Sequence, residues 1–265
     1  MKKYIYFAVA GILALSACSK IDDTQNAPRQ MTFTAGYNEG GETRATLNVS
    51  TKKVSFDAND RISILSAKNT NKQFTTTAGG ASATFSGTAT DDAKFYAVYP
   101  YQSGLTLDGN VIKNVQIPEV QSISSDAPWD KNATIAWATT TGSSLRFHNA
   151  CALLKIHNDV GHDIIINIMC NGVLTGKFNL DTSTNPATLV QAGEGSESIS
   201  IFNVPRDKTI YLAIAPGTVE DLEAMWIFPS LYQQGQKSKW GEVTFVAGKI
   251  YDLGKLSDWP RVSTP

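Results

Sequence analysis

Apolar and polar residues alternate in short segments along most of the chain. In "QMTFTAGY", Met31, Phe33, Ala35 and Tyr37 take one set of alternate positions, and polar or small residues take the other. A period of two is typical of a β-strand with one buried face. Similar segments recur between turn signals such as "DAND" and "AGGASA". The pattern therefore predicts an all-β protein built largely of hairpins.

The segments fall into two groups, which predicts two tandem β-sandwich domains. We place them at residues 30–145 and 146–258, with the boundary after the polar stretch "TTTGSS" and a short tail at 259–265. The strands "YAVYP" and "LAIAP" occupy similar places in the two halves. Helical periodicity is weak, and "TVEDLEAMW" predicts at most a short helix.

The N-terminus has the pattern of an export signal. Lys2 and Lys3 precede an apolar run that is too short to span a bilayer, and "LSAC" follows. "LSAC" resembles a bacterial lipobox, so we expect a signal peptide at 1–17, a lipid on Cys18 and a disordered tether over 18–29. The alternative is an ordinary signal peptide in which Cys18 has no special role. The expected location is the outer membrane, facing outward.

Charge and motifs argue against several function classes. The chain has 23 basic and 24 acidic residues without a basic block, so nothing favours nucleic acid binding. His148, His157 and His162 lack partners at metal-ligand spacing. Acidic pairs such as Asp91-Asp92 lie in turns, where solvated carboxylates are commoner than Ca²⁺ ligands. We predict no enzyme activity, no metal and no cofactor.

Two cysteines remain besides Cys18. Cys151 and Cys170 lie on neighbouring segments, and pairing these as a hairpin in the register that keeps the apolar residues on one face separates the two thiols. A slip of one residue would join them but would place Lys155 among isoleucines. We therefore expect two free, half-buried thiols.

Tryptophans suggest an alternative function. Trp137 alternates as a core residue, whereas Trp129 and Trp240 lie in polar segments and are candidates for exposed platforms that stack on sugar rings. The alternative is a carbohydrate-binding β-sandwich lipoprotein that stays anchored through Cys18 and is neither processed nor polymerised.

An ordered series of segments resembles the fimbrillin family of pilin-like proteins of the type V pilus. The segments run from "TRATL", "VSF…NDRISIL" and "YAVYPY" to "LRFHNACALLKI", "LAIAPG" and "VAGKIYDLGKL". The resemblance implies two transthyretin-like β-sandwiches, export as a lipoprotein, and cleavage after an Arg that follows the first strand. A surface Arg-specific protease makes this cut, and the strand of another subunit then fills the groove left behind.

In this sequence the cleavage position matches the Arg44–Ala45 bond. Cutting there would release Cys18 together with the strand of Met31, Phe33, Ala35 and Tyr37. The expected function is a structural or adhesive fimbrial subunit or accessory subunit, with other subunits and an unidentified receptor as partners. The alternative is that Arg44 is an ordinary exposed loop residue.

The sequence departs from the family pattern at two places. Phe56 and Asn59-Asp60 stand where the family has a Trp and a Gly-Asp turn, which keeps an aromatic core residue and a left-handed turn residue. The tail offers Trp259 and Val262 beside Pro260, which is poor material for a donor strand. Either "KIYDLGKL" exchanges instead, or the protein caps, anchors or decorates a filament.

Overall fold

The computed structural model describes residues 27–37, 46–48, 53–123, 127–228 and 234–259. These residues form strands and one 3-10 turn, Leu256–Asp258. The first strands are β1 (Arg29–Tyr37), β2 (Thr46–Asn48), β3 (Lys53–Ser55), β4 (Arg61–Ser66), β5 (Asn69–Thr76), β6 (Ser82–Ala89), β7 (Phe95–Tyr99), β8 (Thr106–Asp108), β9 (Val111–Ile117), β10 (Val120–Gln121) and β11 (Ala136–Thr140). They are followed by β12 (Ser144–Asn149), β13 (Ala152–Asn158), β14 (Ile164–Asn171), β15 (Thr175–Asp181), β16 (Thr188–Ser196), β17 (Ser198–Val204), β18 (Lys208–Ile214), β19 (Gly217–Ile227), β20 (Gln234–Trp240), β21 (Val243–Phe245) and β22 (Ile250–Lys255). The all-β prediction is confirmed.

Seven strands of the first half close on themselves in the order β1-β12-β11-β7-β4-β5-β6. Closure removes the free edges that an open sheet would present. The alternating strands point their apolar faces inward and enclose an aromatic core, which we call the barrel core. Its largest fully buried members are Tyr99, Phe33, Phe56, Phe74, Phe85, Phe95 and Phe147.

The second half consists of stacked sheets. One sheet has the order β10-β17-β14-β19-β20, with β21 added to β19, and a second has the order β18-β13-β22. A third, β16-β15-β9-β8, combines strands from both halves of the sequence. The apolar faces of the first two sheets form a second core around the isoleucines of β14.

A middle core joins the barrel to the rest of the molecule. Its members come from barrel strands, such as Val98 and Trp137, and from later strands, such as Leu153 and Phe178. The boundary expected between residues 145 and 146 falls within β12, which pairs with β1 and β11 of the barrel. The division into two domains stays a prediction.

The expected hairpin of the two cysteine-bearing strands is wrong. β13 pairs with β18 and β22, whereas β14 pairs with β17 and β19. The apolar residues of both strands do share one core, because the strands face each other from different sheets. Cys151 and Cys170 are free, as predicted, but both are buried rather than half-buried.

The segment considered for a short helix is a strand, β19. Its buried residues include Val219, Leu222 and Ala224, so a spacing of three precedes the regular alternation. Asp221, with φ +50, lies at this step, and the pairing of β19 with β14 shifts register nearby. The irregularity gives the sequence a local helical spacing.

Candidate functional site: the groove that holds β1

Strand β1 lies between two partners in the barrel wall. It pairs antiparallel with β6 along eight positions, from Arg29↔Ala89 to Gly36↔Ser82. It pairs parallel with β12 from Thr34↔Ser144 to Tyr37↔Phe147, and Thr34 N donates to the Ser143 carbonyl at 2.8 Å. Taking β1 away would therefore leave two unpaired strand edges facing one gap.

The faces of β1 follow the alternation seen in the sequence. Phe33 and Ala35 are fully buried, while Thr32 and Thr34 are exposed. Met31 and Tyr37, at the two ends of the apolar face, are partly buried against the barrel core. These four side chains thus share one face of β1, with its centre deeper than its ends. Their role as the face of a displaced strand stays a prediction.

Aromatic rings line the groove beneath β1. Phe33 meets Phe74 and Phe95 edge-on, with ring centroids 5.4 and 5.1 Å apart. Tyr37 stacks on Phe56 with centroids 5.3 Å apart. Edge-to-face and offset arrangements are the favoured geometries of aromatic pairs. Loss of β1 would expose these partner rings together.

The neighbouring strand β6 contains a glycine that the packing requires. A Cβ on Gly87 would lie 2.7 Å from two atoms of the Phe74 ring and 2.8 Å from the Gln73 carbonyl oxygen. Gly87 pairs with Met31 of β1. Any side chain at this position would displace a ring that lines the groove. Sequence reasoning missed this residue, because only the three-dimensional packing identifies the close approach.

A polar group lies at the end of β1. The Tyr99 hydroxyl donates to Asp60 Oδ2 at 3.1 Å, and the Asp57 N–H donates to the same oxygen at 2.8 Å. Burial raises the pKa of Asp60, and the hydrogen bond from Tyr99 opposes the shift. Burial, then the charge of Asp60, raises the pKa of Tyr37. The buried Tyr37 hydroxyl has no hydrogen-bond partner among the described residues.

The predicted processing residues Arg44 and Ala45, and the predicted lipidated Cys18, lie outside the described residues. The structure does describe the strands that come before and after this bond in the sequence. β1 is paired with β6 and β12, while β2 forms a separate hairpin with β3. The next described strand after β1 is therefore β2, which pairs with β3 and not with β1.

The last strand occupies a different kind of place. β22 is at an edge of its sheet and pairs parallel with β13. Leu256 and Trp259 follow it and are buried in the second core, where Trp259 Nε1 donates to the Leu253 carbonyl at 3.0 Å. The Trp expected in a short free tail is instead fixed in the core.

The two candidate sugar platforms, Trp129 and Trp240, differ in exposure. Trp129 is 5% exposed, so the prediction that it is exposed is wrong. Its backbone bridges Tyr211, and the two side chains pack together. Trp240 is partly buried and meets Trp259 edge-on at 5.8 Å. Trp137 is buried, as predicted.

The described part of the chain contains no group of three or more His, Cys, Asp or Glu side chains placed to hold a metal ion. No helix of sufficient length and hydropathy to cross a membrane occurs within these same residues. The expectation that the protein is not an enzyme stays a prediction.

Comparison with solved structures identifies the architecture. A candidate cell adhesion protein from Bacteroides uniformis matches with a TM-score of 0.53 and 16% identity, over 85% of this chain and 92% of the other. A candidate cell adhesion protein from Bacteroides ovatus matches with the same TM-score and 14% identity, over 86% and 92%. The chain shares their fold. No protein-family model matches it, and no curated protein matches it in sequence.

Proposed function

We propose that the protein is a fimbrial subunit or accessory subunit that receives a strand from another subunit in the groove now held by β1. It is exported as a lipoprotein through Cys18 and reaches the cell surface. Cleavage of the Arg44–Ala45 bond by an Arg-specific protease then frees β1 and the lipid together. The partner strand takes the place of β1.

The position of β1 is the observation that carries this proposal. It is the first strand of the described chain, it contributes buried side chains to an aromatic core, and both its edges are hydrogen-bonded. Full burial of a large apolar side chain stabilises by roughly 1.5–3 kcal/mol. A groove without β1 therefore favours any strand of matching alternation, because the strand buries the rings and pairs with both edges.

Two further points support the assignment. The proteins that share the fold are described as candidate cell adhesion proteins. A contact in which each subunit gives a strand to the next and receives one from the previous does not close on itself, so it extends into a filament.

Controlled cleavage tests the proposal. The purified full chain is treated with an Arg-specific protease, and mass spectrometry and size-exclusion chromatography follow cleavage and assembly. We expect a product that begins at Ala45 and forms larger species. An excess of a synthetic peptide of residues 29–37 should hold the cut protein as a monomer by occupying the groove.

Matched arginine variants control the experiment. Arg44→Ala should stay uncut at this bond and monomeric, whereas Arg206→Ala, which changes an exposed arginine elsewhere, should assemble like the unchanged protein. If Arg44→Ala assembled as readily as the unchanged chain, the protease-triggered scheme would be wrong. Cut protein that stayed monomeric without the peptide would contradict strand exchange.

A further inference from the structure

A second feature is a cleft of about 230 Å³ on the outer face of the barrel, on the side of β12 that faces away from the barrel core. Its floor is formed by β11 and β12, and its rim by the loop of residues 182–185 between β15 and β16. The volume is below the roughly 300–1,000 Å³ of sites for drug-sized ligands, so it suits a group of about one sugar ring.

The pairing of β11 with β12 builds the floor. Trp137 pairs with His148 across the two strands, and their rings stack with centroids 5.1 Å apart at 24°. Thr139 and Arg146 lie two residues away on the same strands, so side-chain alternation puts them on the same face. Burial lowers the pKa of His148, which favours its neutral form. Arg146 is exposed and supplies a permanent positive charge.

The rim loop is held in place by its own hydrogen bonds. Thr182 Oγ1 donates to the Asn110 carbonyl at 2.7 Å, and Thr184 Oγ1 donates to the Pro186 carbonyl at 3.0 Å. The Ser183 N–H donates to Asp181 Oδ1 at 2.9 Å. The hydroxyl oxygens of Thr182 and Thr184 can still accept hydrogen bonds, and the Asn185 amide can both donate and accept.

The charge of Arg146 is unpaired within the described residues. Arg146 makes no ion pair with any of them, and none of the described lining residues carries a carboxylate. The lining thus offers an exposed positive charge and a polar rim.

We propose that this cleft binds an acidic monosaccharide unit, with its carboxylate at Arg146 and its hydroxyls at Thr139 and the loop of residues 182–185. A carboxylate accepts two parallel hydrogen bonds from a guanidinium, and this recognition is specific to arginine. The site is complete in the uncut chain, where Arg146 is the register partner of Gly36 in β1, and it would give the subunit its own ligand.

Calorimetric titration of the full chain tests the site, with methyl glucuronide as the probe. We expect it to bind, and Arg146→Gln to weaken binding by about tenfold or more, as for the loss of a hydrogen bond to a charged group. The affinity of Arg146→Lys should be intermediate, because Lys keeps the positive charge but cannot donate the two parallel hydrogen bonds of a guanidinium. Arg206→Gln is the matched control and should bind within about twofold of the unchanged chain.

Titrations with a neutral sugar and with a simple carboxylate test which parts of the ligand are recognised. Methyl glucoside should bind at least about tenfold more weakly than methyl glucuronide, and acetate should also bind more weakly. Equal binding by Arg146→Gln and the unchanged chain would overturn the proposal, as would equal binding of the neutral sugar. Acetate binding as tightly as the glucuronide would show a simple anion site and would overturn the saccharide assignment. Arg146 is exposed, so its variants should fold.

Discussion

The first and last strands of the described chain are both paired parallel to a neighbour, yet they are held in different ways. β1 is bonded along both edges and places Phe33 and Ala35 at the centre of the barrel core. β22 is bonded along one edge, and its apolar residues, Ile250, Tyr251 and Leu253, are partly buried. Full burial beyond β22 begins at Leu256.

The difference separates two ways in which a terminal strand can be lost. Releasing β22 would uncover one edge of a three-stranded sheet. Releasing β1 opens a slot with an edge on each side and rings below. The second opening is the more specific acceptor, because an incoming strand must match the register of β6, the direction of β12 and the spacing of the aromatic pockets.

The largest expected effect is at the centre of β1. Phe33→Ala should lower the free energy of unfolding by about 3–5 kcal/mol, because it removes a buried ring and leaves a cavity between Phe74 and Phe95. Denaturant unfolding measures the change. Thr32→Ala, on the exposed face of the same strand, should stay within about 0.5 kcal/mol. A small loss for Phe33→Ala would mean that β1 is not part of the barrel core.

A smaller effect is expected on the strand beside it. Gly87→Ala should cost about 1–3 kcal/mol, because the new methyl group overlaps the Phe74 ring. Gly142→Ala is the control, since a Cβ there meets nothing within 4 Å. Thermal unfolding of the two variants, compared with the unchanged chain, tests whether the wall of the groove is as tightly packed as its geometry indicates.

Truncating an apolar side chain on β22 should lower the free energy of unfolding by less than Phe33→Ala does on β1. Leu253→Ala is expected to lower the free energy of unfolding by about 1 kcal/mol, because the side chain is partly exposed at a sheet edge. The measurement is the same denaturant series as for Phe33→Ala. A cost equal to that of Phe33→Ala would remove the distinction between the two strands.

The smallest expected difference is in pH dependence. The pKa of Asp60, beside Tyr37 of β1, is raised above its ordinary 3.8. Just above pH 3.8, Asp60 therefore holds a proton in the folded chain that the unfolded chain has released. The contribution of Asp60 to the free energy of unfolding is thus present below pH 3.8 and is lost as pH rises through the folded pKa. Asp60→Asn should remove that decline.

On β22, Asp252 has the opposite sign. Burial alone would raise its pKa, but hydrogen bonds from Lys155 and the Gly254 N–H lower it below the ordinary 3.8. Its contribution is present above pH 3.8 and is lost as pH falls through the folded pKa. Unfolding curves of Asp60→Asn and Asp252→Asn between pH 3 and about 6 should therefore differ from the unchanged chain in opposite directions. Parallel curves would contradict this pair of assignments.

Local patterns predicted much of the fold because strand faces are set by residue alternation. The buried face of β1, the left-handed Asn59 (φ +70) and the core position of Trp137 all follow from neighbouring residues. β19 was missed because its irregularity at Asp221 imitates helical spacing. Pairing partners could not be predicted in the same way, since β13 finds its neighbours far along the chain.

The candidate sites also differ in whether one local segment of sequence is enough to predict them. The apolar face of the groove is visible in one segment of sequence, whereas Gly87 and Asp60 matter only through residues brought from elsewhere. Trp129 lies in polar sequence but is covered by Tyr211, which is distant in the chain. The cleft at Arg146 needs a loop from β15 and β16 to lie against β11 and β12, so no local pattern predicts it.

The middle core has a mechanical consequence. Its side chains come from the barrel and from the later sheets alike, so the two parts of the chain are joined by packed side chains as well as by backbone. A strand held in the place of β1 is bonded along both edges, and a pull along its length loads those bonds together in shear. Tension that enters through the groove would pass across the middle core into the later sheets without first straightening a linker.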